Sequence, residues 1–461
     1  MQINLPHSEL FAIFEEISNN FNRKDQYFDI LYDSFSYVYI DKTPSAEDIS
    51  VNVKKAGVVA RTYNGMWNEI AIDNLSDLKN IPKKLPKAIN MGEKIAEFES
   101  WKLNKEIKPK IRSSDVPIEE KLEKIREIFN YVQNYDKKIL LCRSSYTETE
   151  TTRIFVNNEG CELRQVIPRS RFRIYPIVRS GRKIDFDCLS VGGEMGYEIF
   201  EELNQPKLEE VAKNSLAMIK AKKPPSGKIT VIVDPGMAGI IAHESFGHGL
   251  EADQILRERS YLKNKLNKKV ASEQCVICDT PSLNNELGSY FFDDEGIRAG
   301  KNVLVENGIL KNFIYDRRTA SALNGIPQGN GRRESYAHML HPRMSNTYFE
   351  PGDYNLEEMI SEIKDGVMIV KSFFGMEDPI GGGCQCTSRK GYLIENGEKT
   401  KLLRGIALSG YVLDILQNID AISKDKTLLH GGTCGKGHSD AVPVSDGGSY
   451  VRIKEALISP G

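Results

Sequence analysis

The chain has 461 residues, 40% of them hydrophobic and 27% charged, with 62 Lys plus Arg against 64 Asp plus Glu and a formal net charge of -2. This length exceeds what one hydrophobic core usually serves, so two or more domains are expected, and the composition is globular, not disordered or fibrous. The balanced charge gives no basic footprint for nucleic acid, no apolar run approaches the roughly 20 residues that cross a bilayer, and the first residues lack a secretory signal, so a cytoplasmic protein with no membrane or nucleic-acid partner is expected.

The opening MQINLPHSELFAIFEEISNN has the spacing of an amphipathic helix. FSYVYID and GVVART, separated by turn residues, read as strands. In PIEEKLEKIREIFNYVQNY, Ile118, Leu122, Ile125, Phe129 and Val132 fall at three- and four-residue steps, which predicts a helix with one buried face. From KKILLCRSS to FRIYPIVRSG, β-branched and aromatic runs alternate with polar turns, predicting an antiparallel meander of several short strands with a hairpin turn at NNEG. A second amphipathic helix, PKLEEVAKNSLAMIKA, directs Leu208, Val211, Leu216 and Ile219 to a core and runs into KKPPSGK, where we place the domain boundary.

Beyond that boundary ITVIVD reads as a buried strand, with Asp234 as N-cap and Pro235 as the first residue of the next helix. From about residue 275, short strand-like runs such as NVLVENGILKNFIYD alternate with Gly, Asn and Asp turns. The expected fold is α+β: an N-terminal mixed α/β domain over 1–222, divisible near 110, then a β-rich C-terminal domain over 223–461 carrying the helix that begins at Pro235. The eight cysteines are too sparse for a disulfide scaffold. Cys142, Cys161 and Cys188, in apolar strand-like surroundings, are read as small buried hydrophobes.

The segment IIAHESFGHGLEAD sets His243 and His248 five residues apart, with Glu244 beside the first. On an ideal α-helix a five-residue step lands about 140° from its start, too far for one ion, so a π-bulge is expected to bring the rings to one face. Gly247 and Gly249 are expected to ease that distortion by their freedom of backbone angle. Imidazole nitrogen suits zinc, and a catalytic zinc usually takes three protein ligands and leaves a place for water. The third ligand could be Glu251, Asp253, His338, His438 or Cys434; Cys434, in GGTCGKGH, is preferred for its soft thiolate and flanking glycines. Glu244 then stands where a base could activate water for attack on a carbonyl.

Taken together, these residues resemble the TldD branch of the TldD/PmbA family, metallopeptidases once described as modulators of DNA gyrase. The family element HExxxHGLExD stands here as His243, Glu244, His248, Gly249, Leu250, Glu251 and Asp253. Matches follow in YFFDDEG, ENGILKNFIYD, GNGRRESYAHMLHPRMSNTY and TCGK, across most of residues 230 to 440, whereas the N-terminal half is similar only in layout. The resemblance implies zinc (Zn2+) held by His243, His248 and Cys434, with Glu244 catalytic. It also implies short or unfolded peptide substrates, held extended by β-addition in a chamber between two subunits. The partner would be a second copy or a homologue lacking the metal motif, with this chain as the TldD-type, metal-binding subunit.

Two further expectations concern residues outside that element. Cys275, Cys278, Cys384 and Cys386 have CxxC and CxC spacing that could supply a separate structural zinc site, against the plainer reading of unpaired buried or surface thiols, and the glycine-rich stretch holding the second pair is shorter than the family pattern. Arg332, Arg333, Tyr336 and His338 in GRRESYAHMLHPRM could steady an oxyanion, and Arg333, Tyr336 and His338 are read as substrate-binding. The competing reading is a non-catalytic zinc-containing protein that binds a peptide or partner, for which a closed four-ligand site would be the mark.

Overall fold

The computed structural model describes residues 7–21, 26–51, 55–85, 99–425, 428–437 and 440–461. The alternating segment 139–180 forms two long antiparallel strands, Ile139–Asn157 and Glu162–Ser180, where several short ones were expected. Their turn is the NNEG expected from the sequence, and Gly160 occupies it at φ +98°, where a side chain would be strained. This hairpin is the spine of a nine-stranded sheet that also takes in Tyr27–Lys42, Lys55–Tyr63 and Trp67–Ile72. Pairing between Tyr27–Lys42 and Ile139–Asn157 makes residues 27–72 and 139–193 parts of one sheet.

Both amphipathic helices form, as Ile118–Gln133 and Gln205–Met218. Their apolar stripes, including Ile125, Phe129, Val132, Leu208 and Val211, pack with Tyr146 and Phe172 of the hairpin. Burying each such aliphatic or aromatic side chain contributes roughly 1.5–3 kcal/mol, which is why periodicity alone located them. The N-terminal helix is His7–Ser18, with Leu10, Phe14 and Ile17 buried; the preceding residues 1–6 lie outside the described residues. Cys142 and Cys161 are buried as expected, but Cys188 is only half-buried, because it sits at a rim where Lys371 Nζ reaches Asp187 and the Cys188 carbonyl.

From residue 227 the chain is β-rich, and the fold as a whole is α+β. Strands Gly227–Val233, Asp365–Glu377, Gly383–Glu395, Glu398–Tyr411 and Val451–Pro460 pair in that order, and the last pairs back to the first, closing a barrel. A separate six-stranded sheet ends in Asn346–Phe349, Asp440–Gly448 and Leu428–Lys436. The helix that starts at Pro235 runs between barrel and sheet, touching Asp365–Glu377 on one side and Asp440–Gly448 on the other. No helix among the described residues is long and apolar enough to cross a membrane.

The YFFDDEG segment is the seam between the two halves. Phe292 is buried with Leu31, Phe155 and Leu163 of the N-terminal sheet. Arg61 pairs with Asp29 and, at 2.9 Å, with Glu295, and Arg153 pairs with Asp33 at 3.3 Å and Asp294 at 2.7 Å. Buried charges of this kind are tolerated only when paired, so the run of acidic residues is explained by the arginines opposite.

Candidate metal centre

Asp234 caps the central helix: its Oδ1 accepts from the Met237 N–H at 2.9 Å and its Oδ2 from the Lys371 N–H at 2.8 Å. After one α turn, Pro235–Ile240, residues Ile241–Gly247 form a π-helix, and the His248 N–H donates to the His243 carbonyl. The expected π distortion is therefore present, and the five-residue spacing closes onto one face. Its ease does not come from unusual backbone angles: Gly247 has φ -63° and ψ -43°, ordinary for a helix. A side chain there would instead collide with Met344 Sδ, so the glycine serves close packing.

The two histidine rings stand edge to face, 5.4 Å between centroids and 88° between planes. Strand Leu428–Lys436 brings Cys434 to them: its Sγ lies 3.6 Å from His248 Nε2, and the ligand atoms of His243, His248 and Cys434 all fall within 4.8 Å of one another. His243 and Cys434 are buried, at 1% and 2% exposure. Both His243 ring nitrogens are buried without a hydrogen-bond partner, a costly arrangement unless an ion fills the space. Burial disfavours the Cys434 thiolate, yet His243 and His248 overcome it and hold the thiol well below its ordinary range. A thiolate between two imidazoles is a donor set suited to zinc, so the residues present fit that ion.

Glu251 stands behind His248, with Oε2 at 3.4 Å from His248 Nδ1, leaving Nε2 to face Cys434. Lys436 Nζ holds Glu251 at 2.9 Å and Asp253 at 2.8 Å, and Arg343 donates to the Cys434 carbonyl at 2.8 Å. Glu251, weighed above as a third ligand, lies against the far side of the His248 ring, and Asp253, also weighed, is joined to it through Lys436, contacts of the kind that tune metal sites. Glu244 is one-third exposed and its Oε2 lies 3.7 Å from His248 Nε2.

A family model for the PmbA/TldA metallopeptidase C-terminal domain matches residues 226–460, and one for the central domain matches 111–221. The chain belongs to the PmbA/TldA metallopeptidase family. Among similar members is "Metalloprotease MJ0996" of Methanocaldococcus jannaschii, 36% identical over 89% of this chain and 92% of the relative. Another is the "Zinc metalloprotease TldD homolog" of Saccharolobus solfataricus, 28% identical over 93% of this chain and 96% of the relative. The fold is shared with a Thermotoga maritima protein described as a candidate modulator of a DNA gyrase (TM-score 0.77, 21% identity, 98% of this chain and 100% of that one). It is shared too with TldE from Thermococcus kodakarensis (TM-score 0.73, 17% identity, 98% and 100%).

In this PmbA/TldA chain the other expected site residues have different surroundings. Arg333 is fully buried and grips Glu69 of the N-terminal sheet through both guanidinium arms, at 3.1 and 2.8 Å. The Tyr336 N–H donates to Asp33 and its ring lies against Gly57. His338 bonds through Nδ1 to Ser335 Oγ at 2.8 Å and groups with Glu334 and Asp440, not with His243 and His248. His438 lies outside the described residues. The four-cysteine zinc site is not assembled: the metal-capable groups among the described residues contain none of those cysteines. The reason is topological, since Cys275 packs near the Leu416 carbonyl while Cys386 sits 3.3 Å from Ser245 Oγ beside the π-helix.

Sequence reasoning gave no role to Lys436, Arg343 or Glu377. Two buried carboxylates near His248 required a buried cation, and Lys436 was the nearest one to Cys434 in the sequence. Glu377 carried no such signal: its Oε2 is buried without a partner, and burial, with Glu251 and Glu244 adding to it against the two histidines, pushes its carboxyl up to about 8.

Proposed function

We propose that this chain is the metal-bearing, TldD-type subunit of a zinc peptidase, with His243, His248 and Cys434 holding the metal and Glu244 acting as the base. The observation that carries this reading is the convergence of three ligand atoms within 4.8 Å, beside a half-buried carboxylate on the same π turn. When bound, zinc would polarise a peptide carbonyl and lower the pKa of a water. The protein's own part is positional. Glu251 fixes the His248 ring, Arg343 anchors the Cys434 strand, and Glu244 takes up the proton that attacking water releases.

The substrate would be a short or unfolded peptide lying along Asp365–Glu377. That strand pairs with Gly227–Val233 only over residues 366–369, so beyond Lys371 its outer edge faces no other strand among the described residues. The strand runs beside the base, because a side chain on the face of Gly375 would meet Glu244 Cβ at 2.9 Å. Main-chain pairing along an open edge recognises extended peptides with little regard to sequence, and the exposed Phe373, Phe374 and Met376 would add apolar contact. A second copy, or a homologue without the metal motif, would complete the chamber.

Zinc content and hydrolysis of an unstructured peptide, measured on wild type, Cys434→Ser and Glu244→Gln, test this reading. Cys434→Ser should lose metal and activity together. Glu244→Gln should keep the metal and lose activity by about 10²–10⁴. Wild-type turnover in Glu244→Gln would remove Glu244 from the mechanism, whereas a zinc-loaded wild type that hydrolyses no peptide would favour a peptide-binding protein.

A further inference from the structure

A cavity of about 150 Å³ lies at the seam, between the long N-terminal hairpin and the segments around Tyr290, Arg332 and Pro443. Its wall contains Arg153, Arg169, Arg332 and Arg333 against only Asp33 and Glu334. Two of these arginines are already neutralised: Arg153 by Asp33 and Asp294, and Arg333 by Glu69. Glu334 is turned to the Ala441 N–H and lies 3.9 Å from His338 Nε2.

Arg169 and Arg332 have no such partner. They are 9% and 3% exposed, and neither makes an ion pair with a carboxylate among the described residues. Arg169 donates to the carbonyls of Leu287 and Ser289 at 2.8 and 2.6 Å, and Arg332 to those of Met344 and Pro443 at 2.6 and 2.8 Å. A guanidinium carries roughly five N–H donors, so each keeps several after these bonds. Burial lowers Arg169 to about 10, with Glu194 opposing the shift and repulsion from Arg332 and Arg153 adding to it, which leaves it charged at neutral pH. Two buried cations share this cavity while donating their hydrogen bonds to neutral carbonyls, with Glu194 acting on Arg169 only from beyond ion-pair distance, and a bound anion would complete their neutralisation.

We infer that this cavity is a binding site for a small oxyanion, a carboxylate or phosphate group held between the guanidinium groups of Arg169 and Arg332. The volume admits such a group but not a folded partner, and planar guanidinium donors match the oxygens of both. Arg332 also ties the site to the metal half, since its acceptor Met344 packs against Gly247 of the π-helix. The inference does not depend on peptidase activity.

The test is isothermal titration of the full chain with sodium phosphate and, separately, sodium acetate, against sodium chloride at equal ionic strength. Because phosphate also stabilises proteins non-specifically at high concentration, the readout is a saturable heat and not a shift in melting temperature. Saturable binding is expected and should weaken at least about tenfold in Arg332→Gln and in Arg169→Gln, while Arg332→Lys, which keeps the charge but not the planar donors, should bind between wild type and Arg332→Gln. Binding of phosphate alone assigns a phosphorylated ligand; binding of acetate as well assigns a carboxylate. No saturable binding of either anion to the wild type, or equal binding in both glutamine variants, overturns the site. The wild-type titration decides the matter even if a variant does not fold.

Discussion

The His248 N–H donates to the His243 carbonyl five residues back, and this single backbone bond puts both imidazoles on one face of the helix. An α-helix with the same sequence would send the second ring about 140° away. The distorted turn is held from outside by Met344, which fills the space that Gly247 leaves. Gly247→Ala should therefore destabilise the protein by about 1–3 kcal/mol through overpacking, read from the urea midpoint. Met344→Ala in the same chain should recover part of that loss. If the double variant is simply the sum of the singles, the contact is not what holds the turn.

Lys436 neutralises Glu251 and Asp253 in one buried cluster. Lys436→Met should cost about 3–5 kcal/mol, because two carboxylates lose their ammonium partner. It should also weaken metal binding by about 10–100-fold, because His248 loses the support that orients it. Metal affinity by competition with a chelator, alongside denaturant unfolding, measures both; unaltered affinity would separate Glu251 from the metal site.

Arg333 grips Glu69 and the His338 carbonyl and is fully buried. Its geometry is that of a brace between the 331–338 segment and the N-terminal sheet. Arg333→Ala should lower stability by about 1–3 kcal/mol, through unsatisfied buried acceptors, with little change in kcat for the folded fraction. A fall in kcat at unchanged stability would instead restore the substrate-contact role expected from the sequence.

Burial raises the Glu194 carboxyl from 4.5 to about 7, with Arg169 opposing the shift. The folded protein then binds more protons than the unfolded chain between those values, so stability is present below about pH 4.5 and falls as pH rises toward about 7. The size should be of order 1–3 kcal/mol. Glu194→Gln should flatten this slope in unfolding curves taken across that window; an identical slope in the variant would assign the pH dependence to another group.

Much of the chemistry was legible in the linear sequence because its signals are local. The Asp234 cap, the amphipathic helices Ile118–Gln133 and Gln205–Met218, the NNEG turn and the need for a π distortion between His243 and His248 all follow from neighbours a few residues apart. Such periodicity reports which face is buried but not what covers it. Hence Cys434, 186 residues from His248, was preferred among several possible third ligands on its chemistry alone, and only the Leu428–Lys436 strand shows how it comes to lie beside the helix.

The roles of Lys436, Arg333 and the four remaining C-terminal cysteines were beyond reach for the same reason. Arg333 meets Glu69 across 264 residues, and whether an arginine braces a seam or faces a substrate depends on which surface closes over it. The closed barrel, the seam and the buried guanidinium pair are products of long-range pairing. Local sequence determined the helix, its caps and the metal-seeking residue types; tertiary packing decided which of those residues meet, because only closure of the sheets brings distant side chains within bonding distance.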